Sequence, residues 1–432
     1  MSKKPNPQDL ASLRVPTDVR LSPDGRLACF VVKENAPDLA GYRTSLWLVP
    51  VDGSEPARRL TLGANHDGAP QWSPDGRYLA FLSDRGAVLR AGGAARDKAD
   101  LALSKAPPTG LKDIVGRDLP HGLLQVWLLP MAGGEAQPLT DLPEDTTDLS
   151  WSPDSSQLCV VSAATSAKRL TPKPDDAEAP RRDARLIDEL SYQLNGAGFI
   201  YEQKANLWVV GVAGGNARRL TSGRSRDVQP AWSPDGRRIA FASDRGPNPD
   251  LSWRSGIHMV DAAGGKPVLV SVGHERAFAA PAWSPDGKLI AAVGHRLESG
   301  NPTREDIHVF RARAEQKGRN LTAEADLFVD AMMGSDIFGT PPAGAQWSSD
   351  GADIYFNAPI EGSFELWRVR LDDARVERLT KGQHHLVRPS IGNRGKGLVA
   401  AAVRGTATTP ADVVAFDVPA STKKPATPVK PK

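Results

Sequence analysis

The sequence predicts an all-β fold, a seven-bladed β-propeller of four-stranded antiparallel blades, from three features: a repeated phrase, the strand pattern after each copy, and an abundance of turn formers. The phrase reads LSPDGRLACF from Leu21, WSPDGRYLAF from Trp72, WSPDSSQLCV from Trp151, WSPDGRRIAF from Trp232, WSPDGKLIAA from Trp283 and WSSDGADIYF from Trp347. A degenerate seventh copy, RPSIGNRGKGLVAAAV from Arg388, keeps the strand pattern and loses the Trp and the Asp. With 40 Gly and 36 Pro in 432 residues, many short strands joined by turns are expected.

Within a copy, Ser, Pro and Gly at the first, second and fourth turn positions suit a type I turn, Pro presetting φ near −65°. The apolar run behind the turn is a second strand. A third follows a variable gap: LWLVPVDG from Leu46, VWLLPMAGG from Val126, LWVVGVAGG from Leu207, IHMVDAAGG from Ile257, IHVF from Ile307 and LWRVRLDD from Leu366. After another tight turn come short fourth strands, and every clear one but KPVLV ends in Leu-Thr, as ARRLT from Ala57 does. Such a unit cannot bury both faces alone, so the units must stack into a ring. The Trp before each turn is expected to wedge between neighbours, where burying about 150–250 Å² is worth at most about 4–6 kcal/mol.

Aligning the copies assigns several isolated residues. Cys29 and Cys159 share a slot filled elsewhere by Ala80, Ala240 and Ala291, so they are expected as core residues. His258 and His308 fall where other copies carry Trp, which points to packing. His66, His384 and His385 precede first strands, and of these His66 is kept as a candidate for a loop-face role.

Antiparallel order puts the tight first-to-second and third-to-fourth turns at one end of the ring. The other end carries the long insertions, the largest being residues 84–124 and 163–206, and insertions on one face of a repeat ring mark its binding face. Within the second insertion PKPDDAEAPRRD from Pro172 is polar, whereas the stretch from Arg185 carries apolar residues and is expected to be ordered. Asp188, Glu189, Tyr192 and Phe199, with Gly196, stand out there. They either brace the insertion against the rim or face a ligand or a neighbouring domain.

Composition narrows the function. A net charge of +3, with its one basic concentration in a Pro- and Lys-rich tail, gives no nucleic-acid surface. No serine has Gly at both minus two and plus two, no phosphate-cradling loop occurs, and no HExxH is present. No catalytic residue, metal or cofactor is therefore expected. The start MSKKPNPQDL lacks the apolar core of a secretion signal and no run of about 18 apolar residues exists, so no membrane association and a cytoplasmic location are expected. The division expected is an arm at 1–14, the propeller at 15–418 and a tail at 419–432 that is disordered or an incomplete last strand.

These residues resemble the propeller half of the prolyl oligopeptidase family of serine peptidases, in its acylaminoacyl-peptidase and dipeptidyl-peptidase-like branch. WSPDG and the SDRG phrases at Ser83 and Ser243 are shared with TolB-type propellers; the more telling stretch is IDELSYQLNGAGFIYEQKANLWVV from Ile187, similar to a blade insertion of that family. The resemblance implies a partner domain of α/β-hydrolase type carrying a Ser-Asp-His triad, short peptides as substrates, and possible oligomers. The triad maps onto no position here, and the paired glutamates that bind a free amino terminus in dipeptidyl peptidases are not evident. The expected function is a non-catalytic, substrate-gating propeller; the alternative is a free-standing TolB-like protein-interaction scaffold.

Overall fold

The structure, a computed structural model, describes residues 6–36, 41–62, 66–85, 123–165, 187, 189–194, 198–201, 203–252, 254–272, 276–297, 300, 303–331, 344–421, 427–429 and 431. Each copy of the phrase forms one hairpin turn. The Ser hydroxyl donates to the Asp carboxylate at 2.6–2.7 Å in all six copies, from Ser22–Asp24 to Ser348–Asp350. The same oxygen accepts the amide five residues on, at 2.9–3.0 Å. The Gly amide closes the turn onto the Ser carbonyl, as in Gly25 to Ser22 at 2.8 Å. Gly25 sits at φ +67°, where a side chain would also strike the Asn393 carbonyl 2.4 Å away, so only glycine serves.

Five four-stranded antiparallel sheets follow along the chain, at residues 14–59, 67–138, 146–219, 227–269 and 277–320. A seven-stranded sheet spans 346–418; its two halves join through one parallel pair, Phe364 with His385. No α-helix occurs among the described residues. The all-β expectation and its four-stranded units thus appear directly.

The Leu-Thr ending has a physical reason. The Thr hydroxyl accepts the amide of the first apolar residue of the third strand, as Thr61 does from Leu46 at 3.0 Å and Thr221 from Leu207 at 3.0 Å. Where the chain reads Val270-Ser271, the Ser271 hydroxyl does the same for Ile257. Fourth strands only two or three residues long stay pinned to the sheet this way.

The core lies between sheets, not within them. Cys29, Leu46, Phe81 and Trp127 fill the first interface, and Cys159, Leu207, Ile239 and Phe241 fill the third. The first strands of successive sheets also touch, so they form the inner wall, and the strand Arg14–Leu21 touches the strands of 385–405. Val19, Phe30 and Val32 share a core with Val387, Val399 and Val403, so the first and last sheets pack together without exchanging a strand.

The repeated Trp crosses five of the interfaces. Its indole N–H donates to the carbonyl that precedes the matching residue of the previous sheet: Trp72 to Arg20, Trp151 to Gln71, Trp232 to Ser150, Trp283 to Ala231 and Trp347 to Ala282, all at 3.0–3.1 Å. Where register puts Ile391 and Leu21 in the Trp position, a backbone amide donates in place of the indole and a side chain of the preceding sheet accepts in place of the carbonyl. The Gln346 carboxamide oxygen accepts the Ile391 amide at 3.1 Å, and the Ser390 hydroxyl accepts the Leu21 amide at 3.1 Å.

The remaining expectations resolve simply. Cys29 and Cys159 are buried free thiols, and burial pushes both up. His258 and His308 are buried against Phe241 and Phe278, with ring centroids 5.7 and 4.9 Å apart, and burial pulls His308 down to about 4. In the tail, the Pro419 carbonyl accepts from Arg368, which is buried in an ion pair with Glu377, and Val429 bridges Thr380.

Trp232→Phe keeps the ring and removes the N–H, so urea denaturation should register a loss of about 1 kcal/mol, against about 3–5 kcal/mol for Trp232→Ala. The turn serines hold Asp75 and Asp286 down to about 2, and Asp24, Asp154, Asp235 and Asp350 below the usual carboxylate range. A depressed folded pKa stabilises above the unfolded value near about 3.9 and loses that stability as pH falls through the folded one. Denaturation midpoints should therefore drop between about pH 4 and pH 2, less steeply once Ser73→Ala removes one donor.

Candidate functional site

The loop end carries the site. Described parts of the second long insertion run from Ile187 to Tyr201, and the short strands Gln193–Leu194 and Gly198–Phe199 pair within it. The fourth sheet anchors this segment: the Asp250 carboxylate accepts the amides of Leu190 and Ser191, at 2.5 and 2.8 Å. Glu189 pairs with Lys204 and lies 3.9 Å from Arg224. The Ile200 carbonyl accepts from the Arg226 guanidinium at 3.0 Å, and burial pulls Arg226 down.

The expected residues therefore separate. Glu189 braces the insertion by its ion pair, and Tyr192 is exposed at the rim, its carbonyl accepting the Ile200 amide at 2.8 Å. Asp188, Gly196 and the side chain of Phe199 lie outside the described residues. His66 belongs to a different junction, bridging Thr44 of the first sheet. Its Nδ1 is 2.6 Å from the Asp84 carboxylate and its Nε2 is 2.7 Å from the Tyr42 carbonyl.

The SDRG phrases build a clamp at this end. Ser83 donates to the buried Asp67 at 2.7 Å while Arg85 meets it with two bonds and stacks 5.2 Å from the Phe81 ring. Asp227, Ser243, Arg245 and Phe241 repeat the arrangement two sheets on. The loop beyond each clamp differs in sequence and length between the two copies.

That loop, residues 244–255 in the fourth sheet, divides two cavities. One of about 460 Å³ is bounded by Glu189, Lys204, Arg224 and Arg226; the other, of about 580 Å³, reaches Lys266 and Arg276. Ile187, Leu190, Tyr192 and Leu251, all large and exposed, stand on the two segments that Asp250 ties together.

On the inner strands a charge cluster forms that no motif announced. Asp18 lies 3.5 Å from Arg20 on its own strand and 3.7 Å from Arg388 of the last sheet. Arg388 is also attracted to Asp148 of the third sheet and to Asp330. Burial raises the Asp148 carboxyl to about 6 and the Asp330 carboxyl to about 7, the latter receiving the Gly344 amide at 2.7 Å. The available signal was the presence of charges on strands that line the interior.

Comparison with known proteins places the chain. Residues 198–325 match the TolB beta propeller domain. The chain is 27% identical over 265 residues to the uncharacterized peptidase YuxL of Bacillus subtilis, covering 60% of this chain and 34% of that protein. It is 24% identical over 411 residues to dipeptidyl-peptidase 5 of Porphyromonas gingivalis, covering 90% and 51%. Pyrococcus horikoshii acylaminoacyl peptidase superposes with a TM-score of 0.62 at 16% identity, over 94% of this chain and 52% of that one. The β-propeller domain of the trilobed protease from Pyrococcus furiosus does so at 0.57 and 15%, over 94% and 93%.

The chain has a β-propeller fold, and residues 198–325 match the TolB-type propeller. More particularly, its fold is similar to the propellers of acylaminoacyl peptidase and of the trilobed protease, and it spans about half the length of dipeptidyl-peptidase 5 and a third of YuxL. Among the described residues no cluster of His, Cys, Asp or Glu is arranged to hold a metal, and no helix is long and apolar enough to cross a membrane.

The hydrogen bond to Asp84 raises the His66 pKa. Its contribution to stability is full below the unfolded value near about 6.5 and is lost as pH rises through the folded one. The melting temperature of the native chain should exceed that of His66→Gln at pH 6, and the gap should narrow by about pH 8–9.

Proposed function

We propose that this chain is the substrate-gating, non-catalytic propeller of a prolyl oligopeptidase-family serine peptidase, acylaminoacyl-peptidase-like and acting on short peptides. The observation that carries the reading is the inequality of the two ends: tight Ser-Asp turns, with one cavity of about 570 Å³ among them, at one, and the anchored insertion with two cavities walled by long loops at the other. A hydrolase domain docked on the loop end would enclose a chamber whose walls exclude folded proteins, so selection is by size. The charge cluster on the inner strands fits this, because side chains from sheets far apart in sequence meet there.

We infer seven blades within residues 15–418. The seven-stranded sheet has two halves joined by one parallel pair, and its second half packs on the first sheet. Five indole bridges plus the Gln346 and Ser390 contacts then make one junction per blade. Two buried free thiols suit a reducing compartment such as the cytoplasm.

The exposed apolar residues beside Asp250 favour a second reading, a free-standing scaffold that binds a protein partner on the same face. Reading the coding frame past Lys432 decides between them. Continuation into a G-x-S-x-G region is expected, and a stop codon would favour the scaffold. This chain by itself should release no nitroaniline from acyl-amino acid or peptide substrates; turnover blocked by a serine-directed reagent would overturn the non-catalytic reading.

A further inference from the structure

The larger cavity, between the fourth and fifth sheets, has an unusual charge balance. Its described lining carries Arg245, Arg254, Lys266 and Arg276 against the single carboxylate of Asp244. Asp244 is occupied within its own loop, accepting the Gly246 amide at 2.9 Å and the Ser252 hydroxyl at 2.7 Å. Arg245 is neutralised by Asp227. His258, also in the lining, is held uncharged near neutrality by burial. That leaves Arg254, Lys266 and Arg276 without a carboxylate among the described residues.

Arg276 adds a second, independent observation. Its Nη1 is buried with no hydrogen-bond partner among the described residues. A buried guanidinium N–H without an acceptor costs about 1–3 kcal/mol, a cost that an incoming oxygen anion would remove. Leu251, Pro267 and Leu269 supply apolar wall beside these cations, and about 580 Å³ is the volume of a pocket for a small organic ligand rather than a bare ion.

We propose that this cavity is a carboxylate-binding pocket that takes a short acidic peptide, Arg276 bonding the carboxylate while Arg254 and Lys266 attract it from the rim. Calling the peptide a substrate rests on the gating reading; binding itself does not. The carboxylate can be an acidic side chain or a chain terminus, and the chemistry of recognition is the same.

The test uses this chain and three fluorescent tripeptides, Gly-Gly-Glu amide, Gly-Gly-Gln free acid and Gly-Gly-Gln amide, each blocked at its amino end and followed by anisotropy at low and high salt. At least one acid should bind about tenfold more tightly than the neutral amide, and the tighter one identifies the source of the carboxylate. Arg276→Gln should reduce that preference by about tenfold, and the pair Arg254→Gln and Lys266→Gln, on exposed side chains whose loss leaves the fold intact, should weaken it and its salt dependence. Equal binding of all three peptides within about twofold, or a preference unchanged in the exposed pair of variants, would overturn the proposal. So would displacement of the acid by an equal concentration of inorganic phosphate. None of these outcomes touches the reading-frame test, so the two proposals fail separately.

Discussion

The structure depends on a hydrogen bond that no single sheet can make for itself. A four-stranded sheet with apolar faces is unstable in water until a second sheet covers each face, and two sheets can slide unless something fixes their offset. The indole N–H fixes it. Because Trp232 must reach the Ser150 carbonyl while its ring stays in the interface, the fourth sheet cannot slide on the third without breaking this bond. Each such bond is worth only about 1 kcal/mol net, but a misplaced sheet would leave both a buried donor and a buried acceptor unpaired. The offset is therefore specified more strongly than the bond energy alone implies.

From that constraint the rest of the ring follows. Arg20, Gln71, Ser150, Ala231 and Ala282 lend their backbone carbonyls to the next sheet from the strands that form the inner wall. Most are small or amidic, such as Ser150, Ala231, Ala282 and Gln71. Arg20 is not, and with Asp18, Arg388 and Asp148 it puts charge where a packed core would be apolar. The cost of desolvating these groups is offset by their mutual attraction and by amides such as Gly344 on Asp330 and Leu149 on Asp148, and burial still raises both carboxyls.

Much of this was legible in the residues, and the division has a physical cause. Whatever a repeat needs in every copy leaves a repeated trace: the Ser-Asp turn, the crossing Trp, the small residue at Cys29 and Cys159, and the Leu-Thr ending, visible as a pattern before its hydrogen bond to Leu46 or Leu207 was known. Whatever arises between copies leaves none. Asp18, Asp148, Asp330 and Arg388 come from four separate stretches and meet only once the ring is built. Glu189 shows the intermediate case. A glutamate in an insertion reads equally well as ligand or brace, and only the position of Lys204 on the following strand makes it a brace.

The junction between the first and last sheets carries the same logic to its limit. It lacks both devices used elsewhere: Leu21 stands where a Trp would cross, and no peptide link joins the two sheets. What remains is the shared apolar core of Val19, Phe30, Val387 and Val399, the Ser390 hydroxyl on the Leu21 amide, and the Asp18–Arg388 ion pair. Backbone contact there is so close that Gly25 tolerates no side chain against the Asn393 carbonyl. Side chains and close fit thus do at this seam what chain connectivity does at the others. A seam without a covalent link is held by the packing, the hydrogen bond and the ion pair across it, so a change of volume at Val19, Phe30, Val387 or Val399 acts on ring closure itself.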